Sequence, residues 1–391
     1  MKVVVAHNRY VSAQPSGENT IVDAEIAQLR AAGVTVLPFL RSSDEIAALG
    51  PVQKALLPLS PIYNGAAQRE LGALLRTERP DVLHLHNPYP LLSPWVVRTA
   101  HAHGVPVVQT VHNYRQVCAP GLYFRDGQIC QECQGRRFAL PAIRHACYRD
   151  SRAQSAVMAT TLALHRGTWR SVDLFVALTD GVAAHLREYG IPADRIVVKP
   201  NAIPDPGPPP AGPGNGFLFA ARLSAEKGLG LLLDAWSRHG LGELGTLRIA
   251  GDGPLRQLAE TAAARRSDVS YLGPLDAAAV RAEIRAAGCV VVASTWHDVL
   301  PTIVIEALSH GRPVLGTAMG GIPYLLGTDS PATAAGWVVE PEPAALAAGL
   351  KTAHAGAAAL AGAARQRYET MFTPELLTQR LIDIYTQVAR G

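Results

Sequence analysis

Residues 216–228, Gly216-Phe-Leu-Phe-Ala-Ala-Arg-Leu-Ser-Ala-Glu-Lys-Gly228, read as a short buried strand running into a loop that carries two cations, Arg222 and Lys227. A helix from Leu229 to Trp236 follows. Strand, loop and returning helix form the unit of a doubly wound parallel sheet, in which ligands bind beyond the carboxyl ends of the strands. Two cations at that end suit a phosphate group.

The same alternation extends in both directions. Before residue 204, strands are expected at 3–6, 35–39, 82–86, 107–111, 174–178 and 196–198. Helices are expected between them at 23–32, 68–76, 94–103, 152–166 and 181–189. After residue 214, strands fall at 246–250 and 313–316, with alanine-rich helices over 343–367 and a last helix over 374–390. Such alternation predicts an α/β protein of two doubly wound, Rossmann-like domains. Pro204-Asp-Pro-Gly-Pro-Pro-Pro-Ala-Gly-Pro-Gly214 has no prospect of regular structure and reads as the linker. The expected organisation is a first domain over 1–203, the linker over 204–214, a second domain over 215–373 and a C-terminal helix over 374–391 packing back on the first domain.

Composition agrees. A chain of 391 residues is too long for one core, and 48% hydrophobic with 17% charged residues is a globular balance. A formal net charge of +4 suits anionic ligands or a membrane surface and is too small to argue for nucleic acid. Met1 to His7 reads as a first strand and not a signal peptide, and no apolar run of about 18 residues is present. A cytoplasmic protein is expected, with peripheral contact at the inner membrane face left open.

The run Ser294-Thr-Trp-His-Asp-Val-Leu-Pro-Thr-Ile-Val-Ile-Glu-Ala-Leu-Ser-His-Gly-Arg-Pro-Val-Leu-Gly316 sets Asp298 and Glu306 eight residues apart across a helix start. On a helix that spacing puts two carboxylates on one side, roughly 12 Å apart, enough to hold both ends of an extended ligand. Pro301 suits a first helical position, and Leu300 before it offers no side-chain cap, which leaves the first amides to an anion. The plainer alternative is an amphipathic helix with Ile303, Ile305, Ala307 and Leu308 in the core and Glu306 solvated.

In the first half, Ser16-Gly17-Glu18-Asn19 opens a helix after the first strand: Ser16 can cap it, and Gly17 admits a close phosphate. His84-Leu-His86-Asn87 and His112-Asn113 end two strands. Four of the five cysteines fall in an insertion over 118–147, as Cys118-x11-Cys130-x2-Cys133-x13-Cys147. They are a candidate ligand set for structural zinc, with disulfides or free thiols as the alternatives. A catalytic metal is not expected there, because four protein ligands leave no open position. Arg136, Arg137, Arg144 and Arg149 surround the insertion and would suit an anionic acceptor, lipid head groups or plain solvent.

Taken with Gly251-Asp-Gly-Pro254 and Gly320-Gly-Ile-Pro323, these motifs resemble, in order and interval, those of glycosyltransferase family 4. The resemblance implies the GT-B fold, in which two such domains face a central cleft. It also implies transfer of a sugar, with retention, from a nucleoside-diphosphate sugar (a UDP- or GDP-sugar above all) to an acceptor hydroxyl on a natural product, glycolipid or polysaccharide, with no cofactor required. Residue by residue it implies donor binding by Gly17, Arg222, Lys227, Gly251, Asp252, the backbone from Val299 through Leu300 and Pro301 to Thr302, and Glu306 at the ribose. His112 would stand beside the transferred sugar, and Asp298 would accept its hydroxyls. The chain departs from the family pattern at Asp298, where Glu is commonest, and at Ala202, Ala221 and Tyr324. Competing readings are a phosphorylase or sugar-nucleotide epimerase of the same fold, and a non-catalytic binding module.

Overall fold

The computed structural model describes residues 1–12, 17–330 and 332–390. The strands, in chain order, are β1 (Lys2–Arg9), β2 (Thr35–Ser42), β3 (Val82–Leu85), β4 (Val107–Val111), β5 (Phe124–Arg125), β6 (Gln128–Ile129), β7 (Leu174–Ala177), β8 (Ile196–Val198), β9 (Phe217–Ala220), β10 (Leu247–Ala250), β11 (Val269–Gly273), β12 (Cys289–Val292), β13 (Val314–Thr317) and β14 (Gly336–Val339). The chain divides into two compact units. The first comprises Met1–Tyr123, Cys130–Ala202 and Glu375–Gly391, and the second Phe124–Ile129 and Ile203–Pro374.

Each unit is built on a six-stranded sheet, ordered β2-β1-β3-β4-β7-β8 in the first and β11-β10-β9-β12-β13-β14 in the second. Every pairing within both sheets is parallel; β5 and β6 form a separate antiparallel pair. β3, β4, β7 and β12 are buried along their whole length, as expected of continuous apolar strands covered on both faces. The order reverses between β1 and β3 in one sheet and between β9 and β12 in the other. These are the points where strand ends open a crevice.

In the first unit, Val22, Ile26 and Leu29 of the helix Gly17–Ala31 pack on Val3, Val5 and Val36, and Leu381, Ile384 and Tyr385 of the final helix Pro374–Arg390 join the same core. In the second, the 29-residue helix Pro343–Met371 lies across the sheet. Its small residues serve the contact. A Cβ on Gly349 would come within 2.9 Å of Leu315 Cδ1, and one on Gly356 within 2.9 Å of a ring atom of Trp337. Segment 204–214 has no helix or strand, and Arg365 ties it down through Asp205 at 2.7 Å.

Three local expectations need correction. The first helix begins at Gly17, where the Ser16–Asn19 motif opens it and six residues before the start at 23 that apolar periodicity alone gives, because its opening turn is polar; the expected cap Ser16 lies outside the described residues. The helix expected over 152–166 ends at Leu164 and restarts at Arg166, where the His165 ring reaches the Ile62 carbonyl at 2.8 Å. Short helices at Glu45–Ala48 and Pro51–Leu56 were not legible in the sequence. Among the described residues, no helix is long and apolar enough to cross a membrane.

Leu381 is 1% exposed, so Leu381→Ala should cost about 2–5 kcal/mol and lower the urea midpoint, whereas Leu376→Ala on the open face (46% exposed) should change it little.

Candidate active site

In the second unit, the loops that leave the carboxyl ends of β9, β10, β12 and β13 are knitted together by their backbones. Leu223 N–H donates to Asp252 O at 2.8 Å, Leu255 N–H to Leu223 O at 2.9 Å, Thr295 N–H to Glu226 O at 2.9 Å, and Gly321 N–H to Asp298 O at 2.7 Å. Approaches this close exclude side chains at particular points. A Cβ on Gly228 (φ +77°) would lie 1.8 Å from Ala293 O, and one on Gly320 (φ +55°) 2.1 Å from Asp298 O. The glycines of the sequence motifs are thus the places where one loop rests on another.

That mesh positions the charged side chains. Lys227 Nζ meets Asp298 Oδ2 at 2.5 Å, and Ser294 Oγ donates to the same oxygen at 3.3 Å. Asp298 is 5% exposed and Lys227 also lies over the Trp296 ring. Arg222 meets Glu226 at 2.5 Å, with its own side chain 64% exposed, while Glu226 is buried and held also by Ser224 Oγ at 2.7 Å. Glu226 has no role in the sequence analysis; its place four residues after Arg222 is the available signal. Burial raises the Glu226 carboxyl, but Ser224, its own amide and Arg222 outweigh it and hold it below the usual range.

The helix Thr302–Ser309 begins one residue later than expected. Pro301 is its N-cap with an extended ψ of 104°, not its first helical residue, and no side chain caps it. Asp298 lies four residues before the helix, in a turn where its N–H reaches Trp296 O at 2.8 Å. The helical spacing argument therefore does not govern the Asp298–Glu306 pair, since only Glu306 is on the helix. Val299 and Leu300 are buried, and Thr302 and Glu306 are half-buried. Burial pushes the Glu306 carboxyl up, opposed by its contact with Thr302. Asp252 is exposed, and Gly251 O accepts from Tyr271 Oη at 3.0 Å.

In the first unit, the switch point between β1 and β3 gathers histidines. His86 Nδ1 and His112 Nε2 are 2.9 Å apart, and Glu25 Oε1 stands 3.3 Å from His86 Nε2 and 3.3 Å from His84 Nδ1. Lys199 Nζ lies 3.5 Å from the other Glu25 oxygen. His84 is further held by Thr110 Oγ1 at 2.8 Å and Tyr385 Oη at 2.6 Å. Burial alone would raise the Glu25 carboxyl, but Lys199 and the two imidazoles outweigh it and keep it below the usual carboxylate range. Burial holds His84 and His112 well below the ordinary imidazole value. Of His86 Nδ1 and His112 Nε2 one donates and the other accepts, while His86 Nε2 and Glu25 Oε1, 3.3 Å apart, do not close a hydrogen bond. Glu25 and Lys199 were not read from the sequence, since residues 174 apart give no local signal.

His86 and His112 line a cavity together with Glu18, Gln109, Arg115 and Gln116. Its wall is polar and underused: Glu18 Oε1, Gln109 Oε1, Arg115 Nε and Gln116 Oε1 are buried without a hydrogen-bond partner among the described residues. Gly17 is exposed at the start of its helix, with open space where a Cβ would stand. The four insertion cysteines are half-buried and unlinked, and Cys289 is in the core of the second unit.

Two outcomes are expected. Lys227→Met leaves a buried carboxylate unpaired and should cost about 2 kcal/mol, less than for a fully enclosed pair; Lys227→Met with Asp298→Asn should recover most of it in a denaturant double-mutant cycle. In the fold, burial lowers His7 to about 3 and His185 to about 4 from an ordinary 6.5. The unfolded chain then binds the extra protons as pH falls, so this stabilisation is whole above pH 6.5 and drains away between 6.5 and about 3, at about 1.4 kcal/mol per pH unit per group. Melting temperatures from pH 7.5 to 4.5 should fall accordingly, and His185→Gln should flatten the slope.

Family models match both halves of the chain: the glycosyl transferase 4-like domain at residues 16–202 and the glycosyl transferases group 1 domain at 214–355. A curated relative, the 2-deoxystreptamine N-acetyl-D-glucosaminyltransferase of Streptomyces fradiae, is 28% identical over 314 residues, which cover 76% of this chain and 67% of that protein. Among solved structures, sucrose-phosphate synthase of Thermosynechococcus elongatus is similar at a TM-score of 0.72 and 18% identity, covering 99% of this chain and 98% of the other. Anabaena HepE in complex with UDP is similar at 0.66 and 16%, covering 99% and 100%. Matched in both halves by glycosyltransferase models and along nearly its whole length by structures of that architecture, the chain belongs to the glycosyltransferases of the GT-B type.

Proposed function

We propose that the protein is a retaining, metal-independent glycosyltransferase that moves a sugar from a UDP-sugar to a hydroxyl of a small, polar acceptor. The observation that carries the donor half is the Lys227–Asp298 pair, set on the mesh of loops at the β9/β12 switch point. A diphosphate entering there meets Lys227 already oriented by Asp298, with the exposed Arg222 guanidinium beside the same loop. As the bond from the anomeric carbon to the diphosphate oxygen breaks, negative charge grows on the leaving group, and both cations stabilise it. Fixed protein cations supply the charge that a divalent ion would otherwise provide.

Glu306, whose raised carboxyl favours a hydrogen-bonding partner, accepts from the ribose hydroxyls, and Asp298 accepts from the transferred sugar. The departing phosphate oxygen takes the proton of the attacking hydroxyl on the same face of the sugar, so no side-chain nucleophile is needed. His112 presents a ring nitrogen to a sugar hydroxyl, and His86, with Glu25 3.3 Å beyond it, holds the ring in place. The unpartnered polar atoms of the cavity around His112 suit a hydroxyl-rich acceptor, a reading supported by the aminocyclitol in the name of the Streptomyces relative. UDP is favoured as the donor nucleotide by the HepE complexes with UDP and UDP-glucose.

Melting the protein with millimolar UDP, GDP, ADP and CDP in a chelator tests the donor site. UDP should raise the melting temperature by several degrees, on the order of 3 kcal/mol at 100 times the dissociation constant, and Lys227→Ala or Glu306→Gln should abolish most of the shift. A protein that no nucleoside diphosphate stabilises would sink the proposal. Product anomer analysis by NMR separates retention from inversion.

A further inference from the structure

We infer that Cys118, Cys130, Cys133 and Cys147 form a structural zinc site that fastens the insertion to the loop carrying His112. The inference does not depend on the donor reading.

The first support is proximity. Tyr123 joins two of the cysteines, its N–H donating to Cys118 Sγ at 3.4 Å and its carbonyl accepting the Cys130 N–H at 2.8 Å, while Cys147 N–H bonds Ala142 O at 2.9 Å and Cys133 lies within electrostatic reach of the other three thiols. Residues spread over thirty positions thus converge on one place. The second is the setting of the sulfurs. Cys118 Sγ accepts the Tyr123 N–H at 3.4 Å and faces the amides of Gly121 and Leu122; Cys133 Sγ faces the Ala142 amide. Those contacts fix where the two sulfurs point.

The third is what otherwise holds the segment. Between Cys118 and Cys147 the regular elements are the two-residue strands β5 and β6 and the five-residue helix Leu140–Arg144. Phe138 and Leu140 are 42% and 61% exposed, so the segment's apolar packing rests on Tyr123 and on three small residues, Ala119, Ala139 and Ala142. Yet its backbone is specified at several points: Tyr123, Asp126 and Ala146 sit at φ of 51°, 53° and 50°, conformations that persist only when the surroundings favour them. A four-thiolate clip supplies that constraint at both ends, because Cys130 N–H returns to Tyr123 O at 2.8 Å and Cys147 N–H to Ala142 O at 2.9 Å.

The sulfurs are not yet in coordinating contact. Among the described residues, the metal-ligating group whose ligand atoms all lie within 4.8 Å of one another is Glu25, His84 and His86. That set is already employed, with Lys199 at Glu25 and with Thr110 and Tyr385 at the two nitrogens of His84. Zinc at about 2.3 Å from each sulfur requires the four half-buried thiol side chains to turn inward. The consequence for the site is positional. Cys118 N–H bonds Tyr114 O at 2.9 Å, and Gly121 (φ +80°) lies so close that a Cβ there would meet Arg115 Cγ at 2.8 Å. Fixing Cys118 therefore fixes Asn113 to Arg115, directly after His112.

The test is metal content and spectroscopy on the full chain purified without chelator. About one zinc per chain is expected, lost several-fold in Cys133→Ser and Cys147→Ser and kept in Cys289→Ser. Should the variants fail to fold, cobalt substituted into the unmodified protein gives the answer: sulfur-to-cobalt charge-transfer bands with intense tetrahedral absorption support the site. Cobalt absorption without the sulfur bands would move the metal to the histidine cluster and overturn it. So would disulfide-linked pairs found by alkylation under non-reducing conditions, or metal-free protein with all four thiols freely titrating.

Discussion

Asp298 is the residue on which the second unit's site depends. Its carboxylate is taken out of water, and a buried charge is tolerated only when paired and hydrogen-bonded, so Lys227 and Ser294 are obliged to converge on it. Its carbonyl is equally constrained, since the Gly321 amide bonds it and Gly320 must lack a side chain to let it approach. One residue thereby couples the loop after β9, the loop after β12 and the turn after β13. A cation that must stay beside a carboxylate is pre-oriented, and a pre-oriented cation stabilises developing phosphate charge without reorganising at the moment of reaction.

The first unit solves a different problem with the same topology. Its switch point collects imidazoles, of which burial keeps His84 and His112 neutral, around a single carboxylate, Glu25, with Lys199 behind it. A chain of close contacts runs from Lys199 through Glu25 and His86 to His112 at the cavity wall. Tyr385, on the last helix, closes this arrangement by meeting His84, so the C-terminal helix contributes to the site's support as well as to the core. The insertion after β4 adds a further constraint on the same loop, through the contacts of Cys118 and Gly121 with Tyr114 and Arg115.

Much of this was legible from residue order. Strands β4 and β8 and the final helix fall at the positions that apolar runs and proline punctuation predict, because buried parallel strands and helix starts are local properties of a sequence. The glycines at 228, 251 and 320 were legible as motif elements, and the structure supplies their reason in approaches of about 2 Å to neighbouring carbonyls. The eight-residue spacing of Asp298 and Glu306 was read with the wrong geometry: Pro301 has an extended ψ and the helix waits until Thr302, so the turn before it, not helical rise, places Asp298.

The sequence by itself determined the two doubly wound sheets and the identity of the charged residues at their strand ends, since alternation and strand-end composition follow from local burial. Only the tertiary structure decided which charges meet. Lys227 is 71 residues from Asp298, and Glu25 is 174 from Lys199, separations over which no periodicity operates. Those partners are chosen by which strands become neighbours at the point of reversal, and that is a property of the assembled sheet.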